Sequence, residues 1–197
     1  MQETCAVVIL AGGEGRRLGN VDKALVMAAG QPLLAHSLAR LRPQAQFIVL
    51  SANGAPARFA AFGLPVVADP VPDAGPLAGI AAAAAYCATR WPTLRALVTI
   101  PVDVPRPPPD LVERLAQPQT ADIVVAEADG RRQWAVARWP LAAALALAEP
   151  VNAGLRRMEE AVQAVGYTTV SFAQADAFHN INTPDDLAQL ERTLTQI

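Results

Sequence analysis

Residues 5–11, C-A-V-V-I-L-A, are apolar without a break and end at Gly12-Gly13. A strand with one wet face alternates apolar and polar residues; this run predicts a strand covered on both faces. Such a strand requires helices above and below it, and the chain supplies them in alternation. Further strands are predicted at 47–50, 65–68, 94–100, 121–126 and 167–172, with another at 133–138. Helical spacing or alanine-rich runs occur at 32–41, 77–90, 110–115, 141–148 and 154–165. Pro32 and Pro76 fall at first-turn positions, where a missing N–H costs nothing. Thr183-Pro184-Asp185-Asp186 reads as a capping box opening a last helix, with Thr183 at the N-cap and Asp186 reaching back. The alternation predicts the α/β class: one three-layer α/β/α domain over residues 1–197, with a mostly parallel sheet.

The composition excludes several classes. Hydrophobic residues are 52% and charged residues 17% of 197, far from a disordered chain. A chain this long buries about 70% of its unfolded surface and needs neither disulfide nor structural metal to fold. The net charge of −2 leaves no basic stripe for a general nucleic-acid binder. No apolar run approaches the roughly 18 residues of a membrane span. Residues 1–4 include the acid Glu3 and do not read as a secretory signal, so a cytoplasmic protein is expected. Cys5 and Cys87 lack metal-ligand spacing and read as buried thiols of a reducing compartment. No apolar heptad runs along the chain, and a monomer is the default.

Ligands of parallel α/β sheets bind outside the carboxyl ends of the strands. After the first strand comes a glycine-rich stretch, Gly12-Gly13-Glu14-Gly15-Arg16-Arg17-Leu18-Gly19-Asn20-Val21-Asp22-Lys23. Ser51, Ala52 and Asn53 follow the second strand. Asp69 follows the third, ahead of Gly75-Pro76-Leu77-Ala78-Gly79, and Asp103 follows the fourth. The strand ends therefore aim glycine and polar residues at one rim. Of 16 basic residues only Lys23 is a lysine, and it sits on this rim.

Glycines let backbone N–H groups approach phosphates with no Cβ in the way. Arg16 offers a forked donor set and Lys23 a point charge for a triphosphate. The loop is neither of two common phosphate motifs. No glycine precedes a lysine, as a P-loop requires. Gly13, Gly15 and Gly19 are spaced one residue too long for G-x-G-x-x-G, and no acid closes the second strand.

The run V-I-L-A-G-G-E-G-R-R-L-G-N-V-D-K resembles the signature of the molybdenum cofactor guanylyltransferases, the MobA family. Three further blocks resemble the family in its own order: Asp69 with G-P-L-A-G-I at 75–80, P-V-D-V-P at 101–105, and F-H-N-I-N-T-P-D-D-L at 178–187. The resemblance implies a Rossmann-like nucleotidyltransferase fold. It implies Mg²⁺-dependent transfer of GMP from GTP to the terminal phosphate of molybdenum-loaded molybdopterin, releasing pyrophosphate. Product handover would involve transient contact with molybdoenzymes or their chaperones. Lys23, Arg16 and Asp103 would be catalytic, with Asp103 the Mg²⁺ ligand. Leu10, Ala11, Gly12, Gly13 and Gly15 would border the nucleotide, with Ser51, Asp69 and Gly75 on the base and ribose side. Asn180 and Asn182 would lie toward the acceptor.

Two segments depart from the family pattern. Ser51-Ala52-Asn53 stands where N-A-N is common, which bears on the choice of GTP over CTP. Asp129-Gly130-Arg131-Arg132-Gln133 runs into Trp134 where a D-G-x-x-x-P-like turn is usual. Arg131 and Arg132 could meet the acceptor phosphate and Trp134 could stack on a flat ring; a charged hairpin turn beside a packed Trp fits the same residues. Three other readings remain open at this stage: a cytidylyltransferase making the cytosine dinucleotide, a sugar-phosphate nucleotidyltransferase, and a nucleotide-binding partner without turnover.

Overall fold

The computed structural model describes residues 4–12, 14–15, 21–70, 74–118, 120–173 and 178–195. Strand β1 (Cys5–Leu10) behaves as its composition requires: Cys5, Val7 and Ile9 enter one core, Ala6 and Val8 the other. Two short antiparallel pairs follow, β2 (Glu14–Gly15) with β3 (Val21–Asp22) and β4 (Met27–Ala28) with β5 (Gln31–Pro32). Between them lies a 3-10 turn, Lys23–Leu25. Helix α1 (Leu33–Leu41) buries Leu33, Leu34, Leu38 and Leu41 at helical spacing. Strand β6 (Phe47–Ser51), a 3-10 helix at Pro56–Phe62 and strand β7 (Val66–Val67) come next.

The alanine-rich helix α2 (Pro76–Arg90) is followed by β8 (Ala96–Pro101) and α3 (Leu111–Ala116). Strands β9 (Ile123–Ala128) and β10 (Arg131–Pro140) form a hairpin through Asp129 and Gly130. Both turn residues have positive φ, +50° and +68°, the requirement of a tight type I′ turn that Asp-Gly meets well. Helices α4 (Leu141–Ala146), α5 (Ala148–Asn152) and α6 (Met158–Val165), strand β11 (Tyr167–Ser171) and helix α7 (Pro184–Thr195) complete the chain.

The main sheet has seven strands in the order β11-β9-β10-β8-β1-β6-β7. Only β10 runs antiparallel to its neighbours. The expected mostly parallel sheet is therefore present, and the run at 133–138 is its one reversed strand. Helices α1 and α3 cover the face that holds Val7 and Ile9; α2, α4, α5 and α6 cover the other. A smaller cluster, Ala28, Leu33, Ile181 and Leu190, packs α7 against the β4–β5 hairpin and the start of α1.

Two predicted helices are shorter than their patterns. The run 141–148 breaks into α4 and α5, because Pro150 has no N–H and suits only a first turn, so the helix restarts. The run 154–165 begins at Met158, since Gly154 at φ +103° turns the chain and Leu155 N–H returns to Pro150 O at 2.8 Å. A bulge in β10 between Gln133 and Ala137 is satisfied from inside. Buried Thr99 donates its hydroxyl to Ala135 O at 2.9 Å and accepts from Trp139 Nε1 at 3.2 Å.

Cys87 is buried on α2, and burial pushes its thiol up to about 11. Among the described residues, no helix is long and apolar enough to cross a membrane.

Candidate active site

The chain turns from β1 to β6 on one side and returns to β8 on the other, so the sheet's switch point lies at the carboxyl ends of β1 and β8. The strand ends are stitched together there. Ala11 N–H donates to Ser51 O at 2.8 Å, Val102 N–H to Leu10 O at 3.0 Å, and Ala52 N–H to Val67 O at 3.0 Å. Ala11 is buried and Leu10 half-buried, while Gly12 is exposed, and among the described residues no atom lies within 4 Å of where its Cβ would stand.

Lys23 opens the 3-10 turn after β3. Asp22 caps that turn, its Oδ1 accepting from Ala24 N–H at 3.1 Å. The Lys23 ammonium donates to Asp103 Oδ2 at 3.0 Å and to Asn182 Oδ1 at 2.5 Å. The side chains of Lys23 and Asp103 are 14% and 19% exposed, so the pair is largely shielded yet open at one side.

Asp103 sits in P-V-D-V-P. Val102 and Val104 are buried in the core, and Val104 N–H closes a turn onto Pro101 O at 3.1 Å. With its neighbours anchored inward, Asp103 faces the rim. Its backbone oxygen accepts from Ile181 N–H at 2.8 Å, which docks the last block against the fourth strand. Its Oδ1 is buried, and among the described residues no hydrogen-bond donor reaches it. A buried, unsatisfied carboxylate oxygen is costly, and a hard cation would satisfy it. Among the described residues no three His, Cys, Asp or Glu side chains gather. The orphaned Asp103 Oδ1 is the observation that fits Mg²⁺, which typically takes one or two carboxylates and completes its shell with water and phosphate oxygens.

Asn182 is held from below by the predicted capping box. Asp186 Oδ2 accepts Asn182 N–H at 2.9 Å and Thr183 N–H at 2.8 Å, and Asp186 N–H returns to Thr183 Oγ1 at 3.2 Å. The Asn182 N–H, with smaller help from Thr183 and His179, lowers the Asp186 pKa below its usual range, against an opposing push from burial. His179 is exposed, with Nε2 3.4 Å from Asp186 Oδ1. Asn180 is exposed on the same segment.

On the other flank, Ser51 ends β6 and is 6% exposed. Its Oγ lies 2.3 Å from where a Cβ of Gly79 would be, so the room that glycine leaves is filled by Ser51. Gly75, the residue before α2, has φ +74°, which glycine alone adopts readily. Asp69 is half-buried, and its N–H donates to Asn53 Oδ1 at 2.7 Å. Gly15 pairs with Val21 in the small β2–β3 ribbon. Gly13 and Arg16, expected to hold phosphates, lie outside the described residues, as does Arg17.

Trp134 meets Tyr167 edge-to-face at 5.3 Å, and Arg132 lies over both rings at 5.7 and 5.5 Å. Of the two readings these residues allowed, the contacts match a packed Trp beside a charged hairpin turn.

The sequence reading missed Arg58. Its Nε donates to Asp22 Oδ2 at 2.7 Å, and its other nitrogens donate to Ala55 O at 2.7 Å and to Asn53 O. The Asp-Lys-Ala order was a usable cap signal for Asp22. Nothing in the sequence marks Arg58, because its partner lies 36 positions away.

A lysine and a carboxylate meeting at the switch point of a mostly parallel sheet, in a chain whose first strand is followed by glycine-rich sequence, fit a nucleotidyltransferase of the Rossmann-like kind. The chain belongs to the MobA-like NTP transferase domain family, whose profile matches residues 7–165. It is 44% identical over 187 residues to a molybdenum cofactor guanylyltransferase of Cereibacter sphaeroides, covering 95% of each chain. It is 41% identical to one of Mesorhizobium japonicum, covering 98% of each. In fold it resembles molybdopterin-guanine dinucleotide biosynthesis protein A of Archaeoglobus fulgidus: TM-score 0.80, 23% identity, 98% of this chain and 100% of that one.

Proposed function

We propose that this chain transfers GMP from GTP to the terminal phosphate of molybdenum-loaded molybdopterin, releasing pyrophosphate and forming the guanine dinucleotide cofactor. The convergence of Lys23, Asp103 and Asn182 at the switch point carries this reading. An acceptor phosphate oxygen attacks the α-phosphorus of GTP in line. The new P–O bond forms as the bond to the β-phosphate bridging oxygen breaks, and that oxygen leaves with pyrophosphate. No covalent intermediate with the protein is required, so positioning and charge neutralisation carry the rate.

Each residue then has a task. An ammonium has three donors; two of Lys23's go to Asp103 and Asn182, which leaves one for a phosphate oxygen. Arg16, seven positions earlier in the sequence, would add a forked donor set for the triphosphate. Asp103 would hold Mg²⁺ through its buried Oδ1. When bound, that ion would offset phosphate charge and make the α-phosphorus a better electrophile. The backbone from Leu10 to Gly13, with Gly15, borders the nucleotide. Asp69 accepts from the N–H edge of guanine, and Ser51 with Gly75 shapes the wall beside it. Asn180 and Asn182 face the acceptor side.

The test pairs binding with turnover. Thermal shifts are measured with GTP, CTP, ATP and UTP, each with Mg²⁺; a ligand at 100 times its Kd adds about 2.7 kcal/mol. Pyrophosphate release is then followed with and without molybdopterin, and after chelation of the metal. Stabilisation by GTP above the others, with release that requires molybdopterin and Mg²⁺, is the expected result. Preference for CTP would transfer the assignment to a cytidylyltransferase. GTP binding with no pyrophosphate release would make the chain a binding partner.

A further inference from the structure

Lys23 must meet phosphate with a side chain on a short turn, and short turns do not hold themselves in place. The Lys23–Leu25 turn is a single 3-10 turn between two-residue strands. Its cap, Asp22, divides its carboxylate: Oδ1 takes Ala24 N–H and Oδ2 takes Arg58 Nε. The Arg58 guanidinium is fixed on its other edges. It donates to the carbonyls of Asn53 and Ala55 and lies 4.3 Å from the centroid of the fully buried Phe59 ring. Gly54, at φ +82°, leaves it room, since a Cβ there would stand 3.1 Å from an Arg58 terminal nitrogen. The loop Arg58 grips reaches the base side of the site, because Asn53 Oδ1 accepts Asp69 N–H.

We infer that Arg58 is a positioning residue for Lys23, and that it ties the lysine's turn to the loop after β6, so that the phosphate-binding and base-binding sides of the nucleotide site hold one spacing. The inference rests on the nucleotidyltransferase reading for its catalytic consequence. Its geometric core, that Arg58 holds Lys23 against Asp103 and Asn182, does not. Lysine cannot replace arginine here, because three divergent N–H bonds in one plane need the guanidinium fork.

The experiment compares the parent with Arg58→Gln and Arg58→Lys in two readouts. Lys23 is the chain's single lysine, so modification of its ε-amine by an amine-directed reagent is read unambiguously by mass spectrometry of the peptide that contains it. In the parent, its two hydrogen bonds and its burial slow that reaction. Both variants should modify Lys23 several-fold faster while remaining folded by circular dichroism. In the second readout, kcat/KM for whichever nucleotide the parent uses should fall about 10- to 100-fold, the cost of moving a charge by about an ångström. Arg58→Lys should restore little of it. Unchanged Lys23 reactivity in folded variants overturns the inference, as does a lowered melting temperature with kcat/KM per folded enzyme unchanged. A parent that prefers a nucleotide other than GTP, with faster Lys23 modification in the variants, would overturn the guanylyl reading and leave Arg58's role standing.

Discussion

Asn182 Oδ1 accepts a hydrogen bond from the Lys23 ammonium at 2.5 Å, although the two residues stand 159 positions apart. The contact joins the first block of the chain to its last. Ile181 N–H on Asp103 O carries the last segment to the fourth strand, and Asp186 fixes the backbone on which Asn182 sits. One ammonium from the first block is thereby held by groups from the middle and the end of the sequence.

Lys23→Ala should lower turnover by about 10²- to 10³-fold, the usual loss when one preorganised charge donor is removed. The side chain is 14% exposed and its partners are polar rim groups, so the melting temperature should move by only a few degrees. Parallel losses of melting temperature and rate would mean that Lys23 is a structural ion pair.

Asp103→Asn keeps the shape of the side chain and removes its charge. A neutral amide oxygen lacks the charge by which a carboxylate holds Mg²⁺. Turnover should fall to background at every Mg²⁺ concentration, while the Lys23 contact can persist through the amide oxygen. A rate matching the parent at saturating Mg²⁺ would exclude Asp103 as the metal ligand.

Gly79→Ala places a Cβ 2.3 Å from Ser51 Oγ. The hydroxyl must turn away or the helix must shift, at a cost of about 1–3 kcal/mol for overpacking. Adding Ser51→Ala removes the clashing oxygen and leaves the Ser51 Cβ position at 3.5 Å, an ordinary contact. The double variant should regain the parent's melting temperature or exceed it, since alanine favours a helix interior by about 0.5–1 kcal/mol over glycine. Additive losses in the two single variants would contradict the contact.

Asp186→Ala should cost about 0.5–2 kcal/mol at pH 7, the usual loss for a helix cap. The Asp186 pKa is lower in the folded chain than in the unfolded one, chiefly through the Asn182 N–H. Its stabilisation is therefore full above the ordinary carboxylate pKa and fades as pH falls through the folded value. The gap between the melting curves of parent and variant should be steady from pH 7 to about pH 5 and narrow progressively as pH falls below about 4. A constant gap down to pH 3 would mean that the carboxylate's charge is not what the cap uses.

The layered fold was legible in the sequence because its signals are local. The unbroken apolar run at residues 5–10, the Pro76 helix start and the Thr183–Asp186 box each act within a few residues, so steric and capping chemistry fixes them before any distant contact forms. The four ordered blocks likewise singled out Lys23, Asp103 and Asn182, which the structure brings together. Tertiary structure decided what those residues touch. That Lys23 bonds both Asp103 and Asn182, that Gly79 makes room for Ser51, and that Arg58 locks the Asp22 cap all depend on strand order and on α7 packing over the β4–β5 hairpin. Such contacts join segments from 28 to 159 positions apart (Ser51 to Gly79, Lys23 to Asn182). Propensity and periodicity reach only across one element, whereas pairing between elements is set by how the whole core closes.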